Sequence, residues 1–551
     1  MSRVTNLSLV LRDVRIPTTD RVDHLTPADL VVAAGRVQRV EPPGTARGAH
    51  VIDGGGRVAL PGFIDAHSHA GGAVFDPEVQ LALLRQGVTG IVVGQDGIGA
   101  APSDEASARW SARYFAAIDG AHPRFAGGSV RELLATYDDA TPINVATVVP
   151  HGSLRYLVMG AEQRPASPAE TARMAAILDQ ALDDGAAGLS TGLEYVPAAW
   201  ADEAELVALA RVTAARGLPH VSHMRGYESA AGSALAELVR IAEATGVATH
   251  VSHLHGPLDL IVPDLAAAHG RGLDVTFDSY PYLRGFSLLS MVGLPTWLPL
   301  ADADACLTAL RDPAVLTRLH AEHLDALADL WPRVTLAGLP TDGTGRRDLT
   351  WAAGLRLPEL AARLDLSPAE AAVTILVETG LRASCIFEQP PTNSPDSVRT
   401  LADHPSHLTG SDAIYVPRTG AHLHPRGWGA FARLLAGRVL DRATDLGDGA
   451  GTGGGGWSWS DAAEHLSARA ARRFRLTGRG TLTPGSVADV VLVDPDTLAD
   501  RATFADPCAL ATGIDDVVVA GVPVLAAGAL TGETPGRALR PTAHPQPHPA
   551  T

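Results

Sequence analysis

The sequence predicts an α/β protein: a TIM-type (β/α)8 barrel with a small β-sandwich domain formed by both chain ends. Three observations lead there. Through the middle of the chain, short apolar runs alternate with Ala-rich helical stretches at about 30 residues per unit, the spacing of βα units on a parallel sheet. Two consecutive units nearly repeat their strand, LPHVSHMRG ending near Gly226 and ATHVSHLHG ending near Gly256. At both ends, short apolar runs are instead separated by Gly, Pro and Asp without helical periodicity, as in antiparallel strands joined by turns.

In chain order, residues 1–61 read as the first part of the sandwich, with apolar runs at 7–11, 30–33 and 37–40. Residues 62–475 read as the barrel. Runs at 91–93, 143–149 and 218–221 suit strands, and 170–186 and 203–216 suit helices. A Pro/Trp-rich and then helical stretch, about 286–366, breaks the rhythm and reads as an insertion over the barrel mouth, a lid. Residues 447–456 are glycine-rich and read as a flexible loop. Residues 476–540 complete the sandwich, with a strand at 489–494 and a hairpin at 516–526 around Gly521. Residues 541–551 read as a disordered tail.

Composition narrows the function. The 551 residues are 46% hydrophobic, enough to bury a large core. The net charge of −17 provides no basic patch for nucleic acid and no polybasic face for a membrane. All 44 basic residues are arginine. A chain without lysine has no Walker-type phosphate loop, no Schiff-base catalysis and no metal pair bridged by a modified lysine. Cys306, Cys385 and Cys508 lie far apart, which fits neither a disulfide framework nor a zinc ribbon and points to a reducing, cytoplasmic setting. The apolar run at 7–11 ends at Arg12 and Asp13, too early for a signal peptide or a membrane span. Oligomeric state leaves no mark.

The strongest local signal is LPGFIDAHSHAGG. In a strand, Asp65, His67 and His69 share one face, so the two imidazoles can bind one metal ion while Asp65 orients them from behind. The same pattern also suits a polar strand end. His223 and His253 end successive strands and can meet His67 and His69 across a barrel mouth, where parallel barrels keep their chemistry. Four histidines from three strand ends suffice for a zinc-type site. His220 and His250, three residues earlier, face the other side and are assigned to packing against the outer helices. A hydrolytic metal site needs a base; Asp412 in HLTGSDAIY is the candidate, although a turn or helix-cap aspartate has the same look. Asp96 in IVVGQDGIG admits two readings, a tight-turn residue or a metal ligand able to bridge two ions.

In order along the chain, PGFIDAHSH, GLSTGLEYVP, VSHMRG, VSHLHG, DSYPYLRG, GSDAIY and HPRGWGAF resemble the N-acyl-D-amino-acid deacylases (D-aminoacylases) of the amidohydrolase superfamily. The tail segments TPGSVADVVLVDPDTLADRATFADP and TGETPGRALRP resemble them too. The resemblance implies zinc-dependent hydrolysis of an N-acyl amino acid, with one or two Zn2+ ions or another divalent metal. It implies His67 and His69 in the first metal site, His223 and His253 on the tighter zinc, and Asp412 as catalytic acid/base. It further implies Arg426 as the receiver of the substrate carboxylate, Tyr195 lining the substrate site, and Tyr280, Tyr282 and Ser287 completing the carboxylate pocket.

Two departures stand out. Where many relatives have a cysteine in GNCG, this chain has GQDG, with Asp96 as a harder donor that bridges ions more readily. Where relatives often have lysine after the SHL strand, this chain has His255, which either contacts substrate or packs. The rival readings are a cyclic-amide amidohydrolase, a relative recruited to biosynthesis, and an inactive amidohydrolase-like scaffold. The first usually relies on the carboxylated lysine that this chain lacks, and the last typically loses ligands that this chain keeps.

Overall fold

Apolar runs buried on both faces and followed by helices pair in parallel, because each helix carries the chain back to the same end of the sheet. The structure, a computed structural model, describes residues 8–17, 24–341, 347–416, 421–442 and 454–542. Its barrel strands are β1 (Phe63–Asp65), β2 (Val88–Val93), β3 (Asn144–Thr147, resuming at Val149–Pro150), β4 (Leu189–Gly192), β5 (His220–His223), β6 (Thr249–Val251), β7 (Val275–Ser279) and β8 (His407–Thr409). Successive strands pair in parallel, β7 directly with β8. The ring closes where the Ala66 N–H donates to the Thr409 carbonyl at 3.0 Å and Ser68 bridges Ala413.

The helices outside the ring start where the sequence caps them. Pro168–Asp183 begins with proline in its first turn, and the Ser167 side chain accepts from the Glu170 N–H. Inside the ring, Ile64, Ala66, Val92, Ala146, Val221 and Leu408 form one apolar cluster with Phe474, Ala470 and Ala471.

Register decides where the two earlier histidines go. Ser222 pairs with Val251, which packs among the outer helices, and His220 shares that outward face, 2.8 Å from the Thr191 hydroxyl. His250 pairs instead with Val221 and Thr276 on the inward face, with Nε2 3.0 Å from the Asp278 carboxylate. The expectation that His250 packs outward is therefore corrected. Strand β6 ends at Val251, and His253 has φ 35°, so alternation cannot be counted from one histidine to the other.

Both chain ends join one nine-stranded sheet. Leu9–Pro17, Leu25–Ala33 and Arg36–Glu41 lie at one side, and Val490–Val493, Ile514–Val519 and Val522–Ala526 at the other, linked through Val58–Pro61. The hairpin turns at Ala520 and Gly521, both with positive φ, as a two-residue type I′ turn requires. A bridge between Arg36 and Val487 brings the two sides together over a shared apolar cluster.

Between β7 and β8, Arg284–Leu288, Val334–Leu336 and Ser384–Glu388 form a three-stranded antiparallel sheet. The helices around it share a separate apolar cluster. This unit reaches beyond the stretch 286–366 and contains strands where the sequence shows few strand signals. The expected loop at 447–456 lies outside the described residues up to 453, and the expected tail does so from 543.

The outer layer holds a fully buried ionic cluster. Glu205, in the first turn of Glu203–Ala215, lies 2.7 Å from His151 Nε2 and pairs with the Arg155 guanidinium, itself wholly buried. Against the burial that raises it, His151 and Arg155 hold the Glu205 carboxyl down to about 2. Breaking a buried pair strands the other charge, so Glu205→Gln should cost roughly 3–5 kcal/mol of stability at neutral pH. A depressed folded pKa means the stabilisation is present above the ordinary carboxyl value and is lost as pH falls towards 2. The thermal midpoint of the wild type should accordingly approach that of the variant on acidification. A gap that stays constant with pH would refute the assignment.

Candidate active site

The C-terminal strand ends deliver the site residues to one place. His67 and His69 follow β1, Asp96 follows β2, His223 ends β5, His253 follows β6 and Asp412 follows β8, all of them buried. Asp96 (φ 55°), His253 (φ 35°) and Asp412 (φ 50°) all occupy the left-handed region, which costs a non-glycine residue about 1–3 kcal/mol. The Asp96 turn also needs glycine on both walls. A Cβ on Gly97 would lie 2.5 Å from the Gly192 nitrogen, and one on Gly192 would lie 1.9 Å from the Asp96 carbonyl oxygen. Backbone thus presses on backbone where GQDG meets STGLEY.

Asp96 is the hub. Its Oδ1 lies 3.5 Å from His67 Nε2, 3.7 Å from His223 Nδ1 and 3.5 Å from His253 Nε2, and its Oδ2 lies 3.5 Å from His69 Nε2. Two ligand sets share it: His67, His69, Asp96 and Asp412 form one, and Asp96, His223 and His253 the other. A tetrahedral zinc with bonds of about 2.0–2.1 Å places its ligand atoms about 3.4 Å apart. The spacings fit, His223 and His253 being closest at 3.0 Å. His67 Nε2, His69 Nε2 and Asp96 Oδ1 are buried without a hydrogen-bond partner among the described residues, which suits metal donors.

Carboxylates behind the imidazoles set their orientation. Asp119 lies 2.8 Å from His69 Nδ1, and Glu194 lies 2.8 Å from His223 Nε2. Asp278 lies 3.5 Å from His67 Nδ1 and accepts the His253 N–H at 2.9 Å. Against burial, His67 and His250 hold the Asp278 carboxyl well below the usual range. Sequence reasoning missed all three. Glu194 and Asp278 stand inside the GLEY and DSYPY segments, whereas Asp119 has no motif around it. Asp65, expected to orient the imidazoles, accepts instead from the backbone N–H groups of His67 and Ser411. It therefore braces the two loops rather than the rings.

Asp412 faces two ways. Its Oδ1 lies 3.3 Å from His69 Nε2, and its Oδ2 lies 2.8 Å from Arg426 Nη1. Against burial, Arg426 and the site histidines hold its carboxyl well below the ordinary range, so it stays ionised.

The amidohydrolase family profile matches residues 50–525. The D-aminoacylase of Alcaligenes xylosoxydans xylosoxydans is 32% identical over 533 residues, 94% of each chain. The N-acyl-D-glutamate deacylase of the same organism is 32% identical over 521 residues, 93% of this chain and 92% of that one. This chain belongs to the N-acyl-D-amino-acid deacylase family of amidohydrolases. A solved deacylase structure agrees: N-acyl-D-glutamate deacylase from Bordetella bronchiseptica, complexed with zinc and a phosphonate inhibitor, superposes with a TM-score of 0.77. It is 28% identical, covering 97% of this chain and 100% of that one.

The deacylase-like site opens into a cleft of about 390 Å³, lined by Tyr195, Tyr280, Ser287 and His255 as well as the metal-facing groups. Tyr195 bonds Ser287 through their hydroxyls at 3.1 Å. Burial and the nearby Asp96 push the Tyr195 phenol well above its usual range, so it remains a donor. His255 stacks on Tyr227 at 4.6 Å and is held by the His253 carbonyl at 2.8 Å, so it both packs and lines the cleft.

Two of the expected substrate residues are buried. Arg426 starts the helix Arg426–Val439 and has no exposed surface. Its guanidinium sits against Asp412 and 4.8 Å from the centre of the Tyr280 ring, and both of those residues line the cleft. Tyr282 is buried 5.1 Å from the His424 ring, with the Arg433 guanidinium over its face at 5.1 Å.

Proposed function

We propose that the protein hydrolyses the amide bond of N-acyl-D-amino acids, releasing the free D-amino acid and a carboxylate. The observation that carries this reading is a single carboxylate, Asp96, shared by two buried ligand sets that open into one cleft, in a chain whose relatives act on such substrates. His67, His69, Asp96, His223 and His253 would hold zinc, with Asp412 beside the first set. When bound, zinc polarises the amide carbonyl and lowers the pKa of water from about 15.7 towards roughly 7.

The chain's own groups supply the rest. Asp412, kept ionised and oriented by Arg426, takes the proton from water as its oxygen adds to the carbonyl carbon. As the C–N bond breaks, Asp412 returns that proton to the leaving nitrogen. Tyr195, protonated and fixed by Ser287, donates to the oxyanion. Among the described residues no helix is long and apolar enough to cross a membrane. The buried free thiols of Cys306 and Cys385 support a reducing, cytoplasmic setting.

The test is metal analysis of the purified protein together with a panel of N-acetyl-D- and N-acetyl-L-amino acids. At least one zinc per chain and release of amino acid from the D series alone are expected. Turnover of the L series, or of cyclic amides in place of both, would overturn the reading.

A further inference from the structure

The end of the barrel opposite the metal-facing groups holds a second cavity, of about 310 Å³. That is the size of a small-molecule site. It is built from residues that lead into the last four strands: Pro219 before β5, Ala248 before β6, Asp274 before β7 and Ser406 before β8. Four arginines line it, Arg469, Arg472, Arg473 and Arg475, against one carboxylate, Asp274. Their charge is only partly matched. Arg473, its side chain 6% exposed, turns both terminal nitrogens to Asp274, Nη1 at 3.1 Å, and its Nε is buried without a hydrogen-bond partner among the described residues. Arg472 Nη1 lies 3.2 Å from Glu464, and Arg469 reaches the same carboxylate only at 3.8 Å. Arg475 pairs with no carboxylate among the described residues; its Nη1 donates to the Arg216 carbonyl at 3.2 Å. Four guanidiniums thus share two carboxylates, an excess of two positive charges on a chain whose net charge is −17.

Helix geometry accounts for part of this arrangement. Arg472 and Arg473 stand in the last turn of the helix ending at Arg473, where cations offset the helix dipole. Arg475 lies beyond that turn, with φ 55°, a left-handed conformation that disfavours any side chain. The dipole does not explain why a fourth guanidinium is brought to the same cavity. The remaining wall is mixed. Thr276 and Ser406 offer hydroxyls, and Pro219, Ala248, Pro405 and Leu408 supply carbon surface.

We infer that this cavity is a second binding site, remote from the barrel mouth, for a small phosphate monoester. A planar guanidinium grips a phosphate through two parallel bonds. At pH 7 a phosphate group carries a charge of about −1.5 to −2, close to the local excess, whereas a monocarboxylate answers half of it. The carbon surface takes the organic part of the ester, which free phosphate lacks. The ligand would bridge the start of β7, through the Asp274 and Arg473 pair, to the segment that follows the last helix. Binding should therefore stabilise the folded chain. The site does not depend on the reaction at the mouth.

The experiment is isothermal titration of the zinc-loaded full chain with glycerol 3-phosphate, inorganic phosphate and acetate at one ionic strength. Glycerol 3-phosphate should bind tightest and acetate least. Arg475→Ala and Arg472→Glu should each weaken glycerol 3-phosphate by roughly 10- to 100-fold, as loss of a charged hydrogen bond does. Arg318→Glu makes the same change in net charge as Arg472→Glu on an exposed helix of the insertion, and should leave binding unaltered. Arg472 is 61% exposed, so its variant should keep the wild-type thermal midpoint without ligand and decides the test even where Arg475→Ala folds poorly. Glycerol 3-phosphate should raise the midpoint of the wild type and not that of Arg472→Glu. Binding that survives in Arg472→Glu would lie elsewhere, at the metal centre for instance, and would overturn the inference; so would equal binding of acetate, or none of the ester. Vesicles containing phosphatidic acid present the same group on a lipid. A chain that sediments with them yet ignores the soluble ester would overturn the soluble ligand.

Discussion

Asp412→Asn should lower kcat by at least about a thousandfold, within the 10²–10⁴ range of general acid–base catalysis. The substitution is nearly isosteric. The amide oxygen can still face Arg426, whose Nη1 lies 2.8 Å from Asp412 in the wild type. What the variant cannot do is take a proton from water and return it to the leaving nitrogen. Metal content separates this loss from collapse of the site. The set formed by Asp96, His223 and His253 contains no atom of Asp412, so at least one zinc per chain should remain after the substitution. The set that includes His67 and His69 loses a carboxylate and should bind its ion more weakly. Turnover and zinc per chain, measured on one preparation, decide the matter. A kcat within tenfold of the wild type would mean that some other group handles the proton.

Arg426 bears on the same test. None of its guanidinium nitrogens has a hydrogen-bond partner among the described residues, so Arg426 meets Asp412 as an ion pair. In Asp412→Asn that buried charge loses its counter-ion, which costs a few kcal/mol of stability in its own right. The thermal midpoint should therefore fall even though zinc is retained. A drop in stability accompanied by at least one retained zinc and negligible turnover is the signature of a proton carrier paired with a buried cation.

How much of this was legible in the sequence depends on what each residue's position encodes. His67, His69 and His223 could be placed because they sit at the ends of strands whose apolar runs are unmistakable, and parallel barrels gather such ends at one mouth. His253 arrives at the same mouth by a different route, through a left-handed turn that strand alternation does not describe. That is also why counting back from it misplaced His250. Asp119 sits beyond the helix Glu105–Tyr114 with no periodic signal around it, and only three-dimensional closure puts it behind His69. The insertion hides its strands for a related reason. Arg284–Leu288 and Ser384–Glu388 pair across nearly a hundred residues, a partnership that no local window contains.

Asp96 presents the sharpest of the alternatives that the sequence left open, a turn residue or a shared metal ligand, and Asp96→Asn tests them against each other. Asparagine tolerates left-handed φ about as well as aspartate, so the turn at φ 55° survives the change. If Asp96 served only the turn, zinc content and turnover would be nearly those of the wild type. The distances argue otherwise. Both carboxylate oxygens lie within 3.7 Å of imidazole nitrogens, from four histidines in all, and the carboxyl itself is held well below its usual range despite burial. Replacing that anion with a neutral amide removes the one charge shared by both ligand sets. Zinc affinity should fall by roughly a hundredfold or more, and turnover with it. Asp96→Cys supplies a thiolate in its place, a softer anion that zinc also accepts, and should recover at least one tightly held ion. Retained zinc in Asp96→Asn would reduce Asp96 to a hinge between β2 and β4. Loss in Asp96→Asn with recovery in Asp96→Cys would make charge at this single position the condition for metal at the barrel mouth.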